Sequence, residues 1–266
     1  MKIWFVFVLF ILHIFSLSAQ NILGSRLTAM GNNDTSVPDV WALQGNGAAI
    51  TEVRQITISL NYLRYLFSNE LSAQSFAMVI PLRNNFLGVH LQRYGFSAYN
   101  ESKMGFTYAK KFNQLSFSLN ANYHQLTIQN YGSATAVSVD IGSLYTFNNQ
   151  FIIGAYIKNP FQQNYVATNL VTEILTSYSV GFSYIASNKV LLATSVSKTK
   201  QQAIDPRFGL EYKIHTILSL RGGTSLKPFK QYGGMGLNYK KLAFDFAVAN
   251  DNNLGYLPQI SLGYVL

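Results

Sequence analysis

The segment Leu115–His124, with the sequence LSFSLNANYH, alternates between two kinds of side chain. One set is apolar or aromatic and consists of Leu115, Phe117, Leu119, Ala121 and Tyr123. The other set is polar and consists of Ser116, Ser118, Asn120, Asn122 and His124. Period-two alternation predicts a β-strand with two different faces. The same alternation occurs in residues 55–62, 136–147 and 177–184.

Strand-like segments recur along the chain and predict about 14 strands. We place them at 55–66, 71–82, 86–96, 102–112, 115–127, 135–147, 151–158, 174–185, 190–198, 206–213, 217–225, 232–239, 242–249 and 257–266. The gaps between them are alternately tight, as at 113–114 and 240–241, and longer, as at 128–134 and 159–173. Short turns on one rim, longer loops on the other and an even strand number are typical of a transmembrane antiparallel up-and-down β-barrel.

Composition separates this fold from its main alternative, a secreted β-sandwich or propeller. Only 12% of the residues are charged, against about 25% in soluble domains. The polar strand faces carry mainly Ser, Thr, Gly, Asn and Gln rather than the charged residues that a sandwich turns to water. We therefore favour the barrel, whose closure also removes the unpaired sheet edges that lipid cannot satisfy.

The N-terminus has the features of a secretory signal peptide. Lys2 precedes an apolar run from Ile3 to Phe15, and small residues follow up to Ala19. A membrane anchor is the alternative, but the run is too short to cross a hydrocarbon core of about 30 Å. The predicted organisation is a signal peptide at 1–19, an N-terminal plug segment at 20–53 and an outer-membrane barrel at 54–266.

Aromatic side chains near the predicted strand ends suggest a girdle at the lipid headgroups. They are Tyr62, Tyr65, Phe67, Tyr94, Phe96, Tyr123, Tyr131, Tyr145, Phe147, Tyr184, Tyr212, Tyr239 and Tyr264. Several of them fit packing in the lumen or loops equally well, because one sequence fixes the parity only if the register is unbroken.

Residues 21–53 do not alternate, and they contain Gly24-Ser25-Arg26, Met30-Gly31, Asp39-Val40-Trp41-Ala42-Leu43 and Asn46-Gly47-Ala48. The patterns G-x-R-x-x-x-M-G, D-x-x-A-L and N-x-A resemble the N-terminal segment of the PorV/PorQ group of outer-membrane proteins, which are similar to long-chain fatty acid transporter barrels. Patches at 154–160, 207–223 and 233–247 continue the resemblance in the same order. One departure is Asn46-Gly47-Ala48-Ala49, where the family usually has Asn-Pro-Ala-Gly.

The resemblance implies a fourteen-stranded barrel with the N-terminal segment inside the lumen. It also implies a role in moving hydrophobic ligands or in type IX secretion. Independently, a Gly-rich segment before the first strand of a barrel with lumen to fill predicts a plug, and a disordered periplasmic tail is the alternative. The predicted plug residues are Gly24, Arg26, Met30, Gly31, Asp39, Trp41 and Asn46.

Four charged residues on predicted inward faces form a candidate luminal cluster: Arg207, Glu211, Arg221 and Asp245. Buried charges of opposite sign normally pair, because isolation costs several kcal/mol. Structural pairing is the expected role, and a ligand or gating role is the alternative. Arg26 and Asp39 of the plug are expected to pair with luminal charges such as Glu211 or Arg221.

The sequence predicts no enzyme, cofactor or metal site. It has no cysteine, and His90, His124 and His215 lack metal-ligand spacing. The formal charge of +9 is scattered rather than gathered in a basic patch, so no nucleic-acid partner is expected.

We expect an outer-membrane protein of a Gram-negative bacterium that contacts lipids and lipopolysaccharide. The favoured function is a structural or docking subunit of an outer-membrane assembly with other outer-membrane or periplasmic proteins, such as a complex for type IX secretion. The alternative is a transport channel for small hydrophobic ligands.

Overall fold

Fourteen antiparallel strands close into a ring, which confirms the predicted barrel. The structure is a computed structural model that describes residues 22–66, 68, 70–148, 150–167 and 170–266. The predicted signal peptide at 1–19 and Phe67 lie outside the described residues. The wall strands are β1 (Thr57–Arg64), β2 (Ser72–Leu82), β3 (Asn85–Phe96), β4 (Tyr99–Phe112), β5 (Leu115–Ile128), β6 (Gly132–Phe147), β7 (Phe151–Lys158), β10 (Ser177–Ser187), β11 (Val190–Thr199), β12 (Ile204–Lys213), β13 (Leu218–Leu226), β14 (Phe229–Tyr239), β15 (Leu242–Asp251) and β16 (Gly255–Val265).

Each wall strand pairs with its neighbours in the chain, and β1 pairs with β16 to close the ring. The shortest turns use residues with positive φ, including Arg83 (61°), Asn113 (55°), Asn148 (57°) and Lys240 (54°). Left-handed residues suit tight hairpins because their twist matches that of the flanking strands. In outer-membrane barrels such short turns lie on the periplasmic side.

Two connections on the opposite rim are shorter than the alternation predicted. The expected loop at 128–134 is reduced to 129–131, and that at 250–256 to 252–254. The hydrogen-bonded ladder continues beyond the region where apolar and polar residues alternate cleanly. Strand ends that are predicted from the alternation alone therefore come too early.

Residues 159–176 form the longest described connection on this rim and contain a hairpin that the sequence did not predict. Its strands are β8 (Asn164–Ala167) and β9 (Leu170–Glu173). The hairpin joins the wall where Val166 pairs with Thr135 of β6.

The two faces of the wall differ as the alternation predicted. Leu119 is 54% exposed on the outer face, whereas its neighbour Ser118 is 4% exposed on the inner face. The outer face is an apolar band that suits hydrocarbon, and the inner face is lined mainly by small polar residues.

The predicted aromatic girdle is only partly correct. Tyr62, Tyr123, Tyr212, Tyr239 and Tyr264 are exposed on the outer face. Tyr65 and Tyr94 instead point inward and are almost completely buried, with their ring centroids 5.8 Å apart. A position near a strand end is compatible with either face. Tyr65 continues the inward parity of Leu63 at the end of β1, and Tyr94 follows the inward parity of His90 on β3.

The segment before β1 lies inside the barrel and forms three short helical elements. They are α1 (Ser25–Ala29) and two 3₁₀ helices, Val40–Gln44 and Gly47–Glu52. None of the described helices is long and apolar enough to cross a membrane. We call residues 22–56 the plug.

Candidate functional site in the barrel lumen

The plug runs along the lumen from one end to the other. Ile22 packs beside Tyr65 and Tyr94 near the rim of the longer connections. At the opposite end, Glu52 accepts a hydrogen bond from Lys111 at 2.6 Å near the short turns. Nearly every plug residue up to Thr51 is buried, so the plug is an integral part of the interior.

Two predicted plug residues fix its local structure by capping 3₁₀ helices. The Asp39 carboxylate accepts from the Trp41 N–H at 2.9 Å, and the Asn46 side chain accepts from the Ala48 N–H at 3.1 Å. Such caps satisfy N–H groups that the first helical turn leaves free. Asn46 also donates to the carbonyls of Thr35 and Ser143, so it ties the plug to β6.

The predicted glycines lie where a side chain would collide. A Cβ atom at Gly24 would lie 2.1 Å from the Trp41 ring. Gly31 has a φ of 75° and faces the wall so closely that a Cβ atom would lie 2.6 Å from the carbonyl oxygen of Phe208. Met30 and Gly31 press against Gly209 and Gly223, which are themselves cross-strand partners. Glycine on both sides permits this close approach.

Arg26 links the plug to the charged inner wall. Its guanidinium donates to both carboxylate oxygens of Glu211, at 2.8 and 3.0 Å, and to Asp39 at 2.9 Å. Arg221 donates to Glu211 at 2.6 Å and to Asp245 at 2.6 Å. The five charges therefore form one network, which we call the luminal ion network, with every charge paired as burial requires.

The environment of Arg26 favours its charged form. Burial alone lowers the pKa of the guanidinium, but the carboxylates of Glu211 and Asp39 act in the opposite direction and hold that pKa above its usual range. Arg26 is thus a permanent cation in the plug.

The fourth residue of the predicted cluster, Arg207, does not join this network. It donates to Asp205 at 2.8 Å and to the Asn32 carbonyl at 3.0 Å, and it lies 4.0 Å from Asp34. Arg207 and Glu211 are four residues apart on one strand, about 13 Å in extended chain, so they contact different parts of the plug.

A large set of polar contacts between plug and wall was not predicted from the sequence. Inward-facing serines bind plug side chains at five points, among them Ser179 with Thr35 at 2.7 Å, Ser183 with Ser36 at 2.7 Å and Ser195 with Asn33 at 2.8 Å. Tyr156 donates to Asp34 at 3.0 Å, and Lys158 donates to the Gln44 carbonyl at 2.5 Å. The small polar inner faces were the available signal, but their partners depend on the path of the plug.

The contacts of the plug with β2 and β3 have a different character. Leu43 lies against Gly88, and Ala77, Val79 and Phe86 belong to the same apolar cluster as Leu43. Near this side, buried polar atoms of Gln44, Asn61, Ser75 and His90 have no hydrogen-bond partner within the described structure. Unpaired buried polar atoms are costly. This seam is therefore a weaker part of the plug–wall interface.

The end of the lumen at the longer connections is lined by aromatic and aliphatic side chains. Tyr65, Tyr94 and Tyr232 pack with Leu63 and Leu257. Tyr165 of the β8–β9 hairpin packs with Leu126 and lies 6.1 Å from His124 between ring centroids. We call this lining, defined by the four tyrosines, the mouth.

The described residues contain no cluster that is suited to binding a metal ion. No group of three or more His, Asp and Glu residues is arranged to hold a metal ion within the described ranges. His124 instead hydrogen-bonds Ser138 at 2.8 Å.

The fold and the lumen together define a class: a fourteen-stranded outer-membrane barrel with an N-terminal plug. No protein-family model and no curated protein sequence matches the chain. Solved structures do match it. The toluene transporter TbuX of Ralstonia pickettii is 12% identical with a TM-score of 0.69, and the match covers 95% of this chain and 100% of that one.

Two further structures give the same result. The toluene transporter TodX of Pseudomonas putida is 11% identical with a TM-score of 0.67, covering 94% of this chain and 98% of that one. A FadL homologue of Pseudomonas aeruginosa is 10% identical with a TM-score of 0.65, covering 91% and 98%. The chain therefore has the FadL/TodX-type barrel fold and the outer-membrane location that this fold implies.

Proposed function

We propose that the protein is a passive channel for small hydrophobic compounds and that the plug is its gate. One observation carries this proposal: a plug that is covalently joined to the wall only at β1, and otherwise held by noncovalent contacts, spans the lumen beneath an apolar, aromatic mouth. An apolar lining with a few polar groups is the usual character of a site for apolar ligands. Similar structures are those of toluene transporters and a monoaromatic hydrocarbon channel, which favours the same ligand class.

The distribution of contacts suggests how the gate opens. Ion pairs and hydrogen bonds hold the plug to β12 and to β10, whereas the seam toward β2 and β3 combines apolar contacts with unpaired polar atoms. Regions with weaker contacts open at lower free-energy cost. We infer that the plug separates from the wall along this seam while the luminal ion network holds its other side.

A disulfide lock tests the gate directly, because the chain contains no cysteine of its own. Leu43 lies across the seam from Gly88 of β3, and a Cβ atom added at Gly88 would lie 3.2 Å from the Leu43 Cγ atom, so Leu43→Cys with Gly88→Cys brings two thiols within bonding reach across the seam. The measurement is initial uptake of radiolabelled toluene by a Gram-negative host that lacks its own hydrophobic-compound channels. The Leu43→Cys single variant is the matched control.

We expect the wild-type protein to raise uptake above the empty host. Oxidation should abolish this gain in the double variant only, and reduction should restore it. Unchanged uptake after complete oxidation contradicts plug movement. Uptake no higher than in the empty host contradicts the channel itself.

A second candidate is a docking subunit of an outer-membrane assembly, such as one serving type IX secretion. The buried mouth favours it, because Tyr65 is only 1% exposed and leaves little open path in this state. Purification from mild detergent tests it: a stoichiometric outer-membrane or periplasmic partner supports this role, and an isolated barrel argues against it.

A further inference from the structure

The outer wall carries a groove of about 740 Å³ across β1–β5, β15 and β16. Apolar side chains line its floor in one row of successive cross-strand neighbours. They are Phe244, Leu262, Leu60, Phe76, Leu91 and Met104. These side chains point away from the lumen, and no plug residue lines the groove.

A polar row borders the groove on the side of the mouth. Gln74, Arg93, Ser102 and Gln125 are successive cross-strand neighbours on β2–β5, and all four point outward. The row lies two residues beyond Phe76, Leu91 and Met104, or about 6.6 Å along the strands. Below it, β3 presents Leu87, Val89 and Leu91 to the outside. The polar row therefore marks the edge of the apolar band, at headgroup level.

Arg93 is the cation in this polar row. Its side chain is exposed, and no acidic residue pairs with it in the described parts of the chain. A guanidinium forms bidentate, charge-assisted hydrogen bonds with phosphate. Next to an apolar groove, it is complementary to a molecule that has both a phosphate and an acyl chain.

The position of Arg93 along β3 indicates which leaflet of the membrane the groove contacts. The short turns mark the periplasmic side, and Arg93 lies eight residues from the Asn85 end of β3, toward the mouth. The facing leaflet is the outer one, where lipid A of lipopolysaccharide carries phosphates and several acyl chains.

We propose that this groove is a lipid A site, in which an acyl chain occupies the apolar floor and a phosphate binds Arg93. The site does not depend on the channel function, since none of its defining contacts involves the plug. The protein thus has a specific lipid site on its outer wall as well as a ligand path through its lumen.

Native mass spectrometry of the detergent-solubilised full-length mature protein tests the site. The probe is purified diphosphoryl lipid A, titrated against wild type, Arg93→Gln, Arg93→Lys and Lys198→Gln. Lys198 is the matched control because it is an exposed, outward-facing cation near the same rim on β11, outside the groove. Heat-modifiable mobility shows that each variant is folded.

We expect Arg93→Gln to lower the fraction of protein carrying lipid A about five-fold or more, with Arg93→Lys intermediate and Lys198→Gln unchanged. Monophosphoryl lipid A should bind more weakly than the diphosphoryl form. Equal retention by wild type and Arg93→Gln overturns the proposal. Equal retention of phosphatidylglycerol overturns the assignment to lipid A, and a protein dimer lost in Arg93→Gln assigns the groove to a second copy instead.

Discussion

The guanidinium of Arg26, on the plug, and the carboxylate of Glu211, on β12, are joined by two hydrogen bonds of 2.8 and 3.0 Å. Arg221 approaches the same carboxylate from the neighbouring strand. Glu211 thus has one partner on the wall and one on the plug. Loss of Arg26 leaves the wall pair intact but removes the plug from the network, so the contact attaches the plug without being needed to close the barrel.

Arg26→Gln should loosen the plug while preserving the barrel. Trp41 reports on the plug because the only other tryptophan, Trp4, lies in the predicted signal peptide. Trp41 is 2% exposed, and we expect its acrylamide quenching to rise about two-fold as local opening becomes easier. Heat-modifiable mobility should stay unchanged.

Lys230→Gln is the control for this experiment. Lys230 and Asp251 form an ion pair of 2.7 Å between wall strands, without a plug residue. This variant should leave Trp41 quenching at the wild-type level. Equal effects of the two substitutions would mean that Trp41 responds to charge loss in general and not to plug attachment.

Gly24→Ala tests the close packing inside the plug. The new Cβ atom would lie 2.1 Å from the Trp41 ring, so the indole must move. We expect a red shift of Trp41 emission and a loss of stability of about 1–3 kcal/mol from overpacking. Gly233→Ala is the control, because nothing lies within 4 Å of its added Cβ atom. Trp41 emission should be unchanged in this variant. A wild-type spectrum for Gly24→Ala would show that the plug relaxes without cost.

The barrel was predictable because lipid and lumen impose opposite chemistry on alternate residues. Leu119 and Ser118 illustrate this: one neighbour faces hydrocarbon and the other faces the interior. Glycine-rich spacing around Gly24 and Gly31 also indicated tight packing before β1. These features are local in sequence, so periodicity and composition are enough to find them.

The partners inside the lumen were less predictable because they depend on long-range register. Arg207 and Arg221 look equivalent in sequence, yet only Arg221 faces Glu211 across β12 and β13. Tyr65 and Tyr94 resemble girdle residues, but they point inward. The β8–β9 hairpin lacks enough alternation to be recognised. The sequence shows in which region such residues lie, but their contacts depend on the three-dimensional fold.

The depth of the apolar band predicts how the outer wall responds to charge. Leu119 lies near its middle, and we expect Leu119→Arg to cost about 2–4 kcal/mol, as for a cation near the bilayer midplane. Gln125→Arg, in the polar row on the same strand, should cost about 0–1 kcal/mol. Urea unfolding in lipid vesicles measures both. Equal costs would show that the polar row lies within the hydrocarbon.

Deleting residues 24–47 should open the lumen. The deleted segment includes Arg26, Asp34 and Asn46, which bind the wall through ionic and polar contacts. The wall strands remain fully paired without it, since the ladder closes through β1 and β16. We therefore expect the deletion variant to insert and run heat-modifiably, with higher single-channel conductance in planar bilayers than the intact protein. The Leu43→Cys/Gly88→Cys variant, oxidised, is the closed control. Equal conductance of the intact and deleted proteins would contradict the plug, whereas failure to insert would show that the plug is needed to complete the barrel itself.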